Sequence, residues 1–141
     1  MRYNDATDVR LREKVISVSR DRRRALSLAA LLAGAGTAHF AIPRFYDAMI
    51  PAPLPGSPRA WTYGSGVAEI ATAAALAVPR TRRTGGLLAA LLFCGVLPGN
   101  VKMALDARHS DSAAFRAGTL LRLPLQWPLI AWAWRVRRSA G

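Results

Sequence analysis

The sequence has little from which a metal or redox centre could be built. It contains one cysteine, Cys94, and two histidines, His39 and His109, in 141 residues. A single cysteine excludes an intramolecular disulfide, a CxxC redox pair and a cysteine-rich zinc site, and we expect Cys94 to be an ordinary buried residue. A haem held by two histidines needs both at one depth, and His109 lies in a polar stretch. We therefore expect neither haem nor a metal centre.

Acidic residues are also scarce. There are 8 Asp and Glu against 20 Lys and Arg, for a formal net charge of +12, while 52% of the residues are apolar. This combination is unusual for a soluble enzyme and typical of a membrane protein with basic flanks. Nucleic acid is not expected as a partner, because the basic residues cluster beside apolar segments and do not line one face together with aromatic side chains.

Four long segments carry almost no charge. They are residues 25–43, 60–79, 84–105 and 117–134, in which the only charged side chains are Glu69, Lys102 and Arg122. Each segment has roughly the 17–25 residues that a helix needs to cross the hydrocarbon core of a bilayer. The sequence therefore predicts an all-α fold, an integral membrane four-helix bundle over residues 25–134 whose main partner is the lipid bilayer.

Basic residues outside these segments predict the orientation of the bundle. Eight lie in residues 1–24, three in residues 80–83 and three in the tail 135–141, against four in the two remaining loops. The positive-inside rule then places both termini in the cytoplasm. Residues 1–24 form a basic juxtamembrane segment with two open interpretations: an amphipathic helix on the anionic inner leaflet, or a frayed basic anchor.

Five polar residues stand in the outer halves of the predicted spans. They are His39, Glu69, Asn100, Arg122 and Gln126, at least one from each helix. Ionisable groups at membrane depth usually face the protein interior, so we expect the five to converge. One interpretation is a buried Glu69–Arg122 ion pair that only fixes helix register, and the other is a ligand or redox site at the same residues.

Prolines and glycines indicate how the bundle is assembled. The outer loop 44–59 holds four prolines and several apolar residues, so we expect it to fold back over the mouth of the bundle. Pro98, Pro124 and Pro128 are expected to interrupt their helices beside the polar cluster. Gly34 in the first span and Gly95 with Gly99 in the third are candidates for close helix packing, either inside the bundle or in a homodimer.

Short motifs recur in order along all four segments. They are Gly36, His39, Phe40 and Pro43; then Ser65, Gly66 and Glu69; then Pro98, Asn100 and Met103; then Arg122, Pro124, Gln126 and Trp132. In their order and spacing they resemble the DoxX-like membrane proteins of bacteria. The resemblance implies a compact four-helix bundle in the bacterial cytoplasmic membrane. It also implies a link to respiratory quinone chemistry, through the thiosulfate:quinone oxidoreductase subunits that named the family.

Two functions from different classes remain open. In a quinone-interacting or redox-associated subunit, Asn100, Gln126 and Arg122 would donate hydrogen bonds to the quinone carbonyls, and His39 or Glu69 would carry protons. In a non-catalytic assembly or partner-binding membrane protein, the same Glu-Arg cluster would be structural. The sequence does not decide whether the protein is an enzyme, and quinone is its one candidate cofactor.

Overall fold

The computed structural model describes residues 5–140, and side chains from residue 7 onward. Over that range the chain is all-helical, which confirms the predicted all-α class. The ends of the two predicted basic segments, residues 1–4 and 141, lie outside the described residues. The helices follow one another with short connections, and each of the four predicted spans overlaps a major helix.

The helix boundaries are given in chain order. They are α1 (Asp5–Ala41), α2 (Pro43–Asp47), α3 (Pro58–Ala77), a 3-10 turn (Pro79–Thr81), α4 (Arg82–Gly95), α5 (Leu97–Asp106), a second 3-10 turn (Ala107–His109) and α6 (Ala113–Ser139). Serine caps begin two of the long helices: the side chain of Ser57 accepts the N–H of Ala60 at 3.2 Å, and that of Ser112 accepts the N–H of Phe115 at 3.2 Å. We call the end of the bundle that carries α2 the α2 end, and the opposite end, with residues 78–82, the hairpin end.

Helix α1 is much longer than the predicted first span. It has 37 residues, so it runs for about 55 Å and joins the basic segment to the apolar one without a break. The side chains of residues 7–20 are exposed along this extension. From Asp5 onward the basic segment is therefore helical, and it continues the axis of the first predicted span.

The third predicted span is divided into two helices at Val96. Pro98 follows this break, and its missing N–H cannot bond the carbonyl four residues earlier, so the helix restarts as α5. Pro124 and Pro128 behave differently, since both lie inside the continuous helix α6. Of the three expected interruptions, only the one beside Pro98 ends a helix.

Close backbone approaches hold the bundle together. Helix α1 packs chiefly on α3, and α4 chiefly on α6. At the first crossing, a Cβ added to Gly36 would lie 2.8 Å from the carbonyl oxygen of Gly66, and at the second a Cβ on Gly86 would lie 2.7 Å from the backbone N of Arg137. Nothing lies within 4 Å of a Cβ added to Gly34 or Gly95, so close packing inside the bundle does not use these two positions, and their role in a homodimer stays a prediction.

One helical segment among the described residues is long and apolar enough to cross a membrane. It is Pro79–His109, a segment of 31 residues that contains an 18-residue window with a mean hydropathy of 1.7. The other helices do not reach the same hydropathy over such a length, because glycine, serine, threonine and charged residues interrupt their leucines and alanines. By length and composition, therefore, the described residues contain one candidate membrane-spanning segment.

Candidate functional site

His39 and Glu69 form the centre of the polar cluster. The crossing of α1 over α3 at the two glycines brings them together, with Nδ1 of His39 3.6 Å from Oε2 of Glu69. Both residues are buried, at 6% and 7% exposure. Oε2 of Glu69 has no hydrogen-bond partner among the described residues. A buried carboxylate oxygen without a partner is costly, so this atom marks the least satisfied point of the bundle.

A backbone carbonyl decides which nitrogen of His39 carries the proton. Nδ1 lies 2.8 Å from the carbonyl oxygen of Ala35, one turn earlier in α1. A carbonyl oxygen can only accept, so Nδ1 must donate to it. In the neutral ring Nε2 is then an acceptor, and no partner for it is found in the described part of the chain.

Tyr46 covers this pair from the α2 end. Its ring stacks on the imidazole of His39, with the two centroids 3.7 Å apart and the planes inclined by 24°. Burial raises the pKa of the Tyr46 phenol; the charge of Glu69 adds to the rise, and that of Arg122 opposes it. Sequence reasoning treated Tyr46 only as part of an apolar loop, and no spacing signal ties a residue in α2 to His39.

Asn100 and Gln126 form a second polar pair. Nδ2 of Asn100 donates to Oε1 of Gln126 at 3.3 Å, and Nε2 of Gln126 donates to the backbone carbonyl of Phe93. The Phe93 carbonyl lies in the last turn of α4, just before the break at Val96, where regular helical bonding ends. The break in the third span therefore provides the acceptor that orients Gln126, and Gln126 in turn orients Asn100.

Arg122 does not join the cluster. It is exposed, and no ion pair connects it to Glu69 within residues 7–140. Its side chain lines a separate cavity of about 290 Å³ between α5 and α6, with Phe45 and Met103. The expected Glu69–Arg122 pair is therefore not formed. Arg122 lies on the same face of α6 as Gln126 but one turn nearer the α2 end, where its side chain lines this separate cavity.

A large cavity connects the two polar pairs. It has a volume of about 780 Å³ and lies between α3 and the α4–α5 arm, beneath the loop that follows α2. His39, Tyr46 and Asn100 line its polar end, and leucine and alanine side chains of α3 and α4 line the rest. This volume is within the range of known small-molecule sites.

The loop over this cavity is held in place by polar contacts at both of its ends. Asp47 accepts from Arg59, with N–O distances of 2.8 and 2.9 Å, and from Thr62 at 2.7 Å. These hydrogen bonds lower the pKa of the Asp47 carboxyl, the bond from Arg59 contributing most. Nζ of Lys102 donates to the carbonyl of Ala48 at 2.8 Å. The loop folds back over the mouth of the bundle as expected, and Lys102 points away from the cluster.

The described residues bear on the expectations for metal ligands and for Cys94. No group of three or more His, Cys, Asp or Glu side chains that could hold a metal ion occurs between residues 5 and 140. Cys94 is exposed on α4, so the expectation that it is buried is wrong. Its helix turns this position away from the core, whereas Phe93 beside it is buried.

The chain belongs to the family described as domain of unknown function DUF8561, whose model matches residues 28–137. The match begins after the basic extension of α1 and covers every residue of the two polar pairs. No curated protein and no solved structure matches the chain.

Proposed function

We propose that this protein is a four-span integral membrane protein, DoxX-like in architecture, that holds a lipophilic small molecule in the cavity beneath the α2 loop. The cavity carries the proposal: about 780 Å³, largely apolar, with His39, Tyr46 and Asn100 at one end. An apolar volume with a few polar groups at one end fits a molecule with a polar head and an apolar tail. Quinones are of this class, and the DoxX-like motifs favour them over other lipids.

Exposed apolar side chains support four spans. Every long helix carries some large apolar residues that are at least 39% exposed. Examples are Leu31 on α1, Val67 on α3, Leu91 on α4 and Trp127 on α6. Soluble monomers rarely expose such surface over a continuous area. The four faces would be covered if lipid surrounded the bundle.

Charge placement supports the orientation with both termini in the cytoplasm. The hairpin end carries Arg80, Arg82 and Arg83, and α6 ends there with Arg137 and Arg138. Reporter fusions test this: those after Ser57 and Ser110 should report the outside, and one after Arg82 the cytoplasm. A cytoplasmic signal at Ser57 would overturn the four-span arrangement.

Extraction of the purified protein tests the ligand. The organic extract should contain a stoichiometric lipophilic compound, identified by absorbance and mass spectrometry, with quinone as the expected class. Ala71→Trp places a bulky ring at an exposed position that lines the cavity, so it should remove the compound without burying new volume in the core. Ala74→Trp is the matched control, since Ala74 is exposed on the same helix and does not line the cavity.

The extraction separates this proposal from the alternative function. A compound retained equally by the two tryptophan variants lies outside the cavity and contradicts the proposal. An extract with no bound compound favours the non-catalytic assembly or partner-binding role. In that case the polar residues are structural, and the binding partner to test for is a membrane protein or a second copy of the chain.

A further inference from the structure

The residues that line the cavity offer it more hydrogen-bond acceptors than donors. Several residues that line it have N–H or O–H groups, but the structure directs most of these groups into the protein. The polar atoms that remain free to contact a ligand are mainly hydrogen-bond acceptors. The numbers of free donors and acceptors determine which ligand groups the cavity can bind, and they are set by individual hydrogen bonds within the protein.

His39 gives its proton to the backbone. Nδ1 donates to the carbonyl of Ala35 at 2.8 Å, so the neutral ring offers only Nε2, an acceptor, to the cavity. The carbonyl oxygen fixes this arrangement because it cannot itself donate.

Asn100 is oriented in the same way, through one intermediate. The Phe93 carbonyl requires a donor, which makes Nε2 of Gln126 face it, and Oε1 of Gln126 then takes an N–H of Asn100 at 3.3 Å. The orientation of both amides thus follows from one backbone oxygen. Asn100 keeps its Oδ1 and one N–H for other partners.

Three further donors are already used. The hydroxyl of Thr62 donates to Asp47 at 2.7 Å, that of Thr72 to the carbonyl of Ala68 at 2.7 Å, and the indole N–H of Trp61 to the carbonyl of Pro55 at 2.7 Å. Thr62 and Thr72 line the cavity, and because their hydroxyl protons are used, each hydroxyl can only accept from a ligand that reaches it. The hydroxyls of Tyr46 and Ser65 have no recorded acceptor, and each can rotate to accept or donate.

From these directions we infer that the cavity selects a neutral lipophilic ligand whose polar head donates hydrogen bonds, such as a phenol or a hydroquinone, over the quinone that can only accept. The inference rests on the proposed function, and it names the chemical form of the ligand. No charged side chain lines the cavity, so a neutral head is favoured. A quinone carbonyl placed against Nε2 of His39 or the Thr72 oxygen would face another lone pair, whereas a hydroxyl would bond to it.

A series of three matched probes tests the inference. They are a decyl benzohydroquinone, the corresponding quinone and the hydroquinone dimethyl ether, each titrated anaerobically against the full chain in lipid nanodiscs. The hydroquinone should bind at least about tenfold more tightly than either of the others, which is the effect of one good hydrogen bond. Quinone binding equal to or tighter than hydroquinone binding overturns the inference while leaving the proposed function in place. Failure of all three to bind overturns both.

Two variants test whether the directed donors are the cause. Thr72→Val removes an acceptor whose own hydrogen bond stays within one helix, and it should reduce the hydroquinone preference several-fold. Gln126→Met frees Asn100 to turn its amide, so the preference should fall although Gln126 does not line the cavity.

The ratio of two affinities measured on one sample does not depend on the fraction of protein that is folded, so a loss of stability in Gln126→Met leaves the test valid. Trp127→Leu, at an exposed neighbouring position, is the control and should keep the full ratio. If both Thr72→Val and Gln126→Met keep the wild-type ratio of hydroquinone to quinone affinity, the cavity does not select its ligand by hydrogen-bond donors.

Discussion

The two halves of the bundle differ in what fills them. The hairpin half is closed by small and medium apolar side chains from four helices, and Ala25, Leu28, Leu76, Ala89, Ala133 and Val136 are all at 0% exposure. The α2 half holds the buried polar residues His39, Glu69, Asn100 and Gln126, together with the cavity. The hairpin half therefore provides the close packing that stabilises the bundle, and the α2 half can keep an open cavity and unpaired polar atoms.

The difference follows from the residues at each crossing. At the hairpin end, Gly85 and Gly86 bring α4 against the end of α3 and against α6, leaving no space between them. At the α2 end the break at Val96 and the interposed loop separate α5 from α3. Four mutational experiments test whether the two halves differ in this way.

Truncating a leucine in the hairpin half should have the largest effect. Leu76→Ala removes a side chain with 0% exposure, and a loss of about 2–5 kcal/mol in the free energy of unfolding is expected from the cavity it leaves. Leu91→Ala is the control, because Leu91 is 59% exposed. Denaturant unfolding in detergent measures both. Equal losses would mean that the hairpin half is not the packed half.

Adding a methyl group at the α1–α3 crossing should have the next largest effect. The Cβ of Gly66→Ala would lie 2.9 Å from Cβ of His39 and 3.0 Å from the carbonyl of Gly36, so the helices must separate. We expect a loss of about 1–3 kcal/mol and weaker ligand retention, since the crossing places His39 beside Glu69. Gly64→Ala meets nothing within 4 Å and should be neutral in the same thermal unfolding assay.

Glu69 and Arg122 should act independently. Glu69→Ala leaves a small cavity beside His39 but also removes an unpartnered buried oxygen, so the two effects oppose each other and the net change should stay within about 1 kcal/mol. Arg122→Gln changes an exposed side chain and should stay within about 0.5 kcal/mol. The double variant should show the sum of the two effects, because no ion pair couples them. If the double variant were more stable than the sum predicts, the result would support the buried Glu69–Arg122 pair expected from the sequence.

The smallest effect should come from Asp47, at the edge of the α2 half. Hydrogen bonds from Arg59 and Thr62 lower its pKa below the ordinary 3.8, so its contribution is present above that value and is lost as pH falls through the lowered pKa. Asp47→Asn should therefore lower the unfolding temperature slightly at pH 6 and not at about pH 2. A difference that persists in acid would assign the effect to shape and not to charge.

Much of the site could be predicted from where polar residues interrupt apolar segments. His39, Glu69, Asn100 and Gln126 are all buried, because a polar group in an otherwise apolar helix face is stable only where other protein groups surround it. The same reasoning failed for Arg122, because a long cation can reach the surface from many positions. Burial is the usual outcome for a free cysteine, but the position of Cys94 on α4 faces away from the core.

The helical class and the residue types available to a site follow from the sequence alone, since both depend on local composition and on the length of apolar runs. Which of those residues meet depends on the tertiary structure. Whether Glu69 faces His39 or Arg122 depends on how α3 and α6 rotate about their axes and on how closely α1 approaches at Gly36, and such relations between distant segments leave no periodic signal within one helix. The donor directions in the cavity have the same origin, because they are fixed by the backbone carbonyls of Ala35 and Phe93.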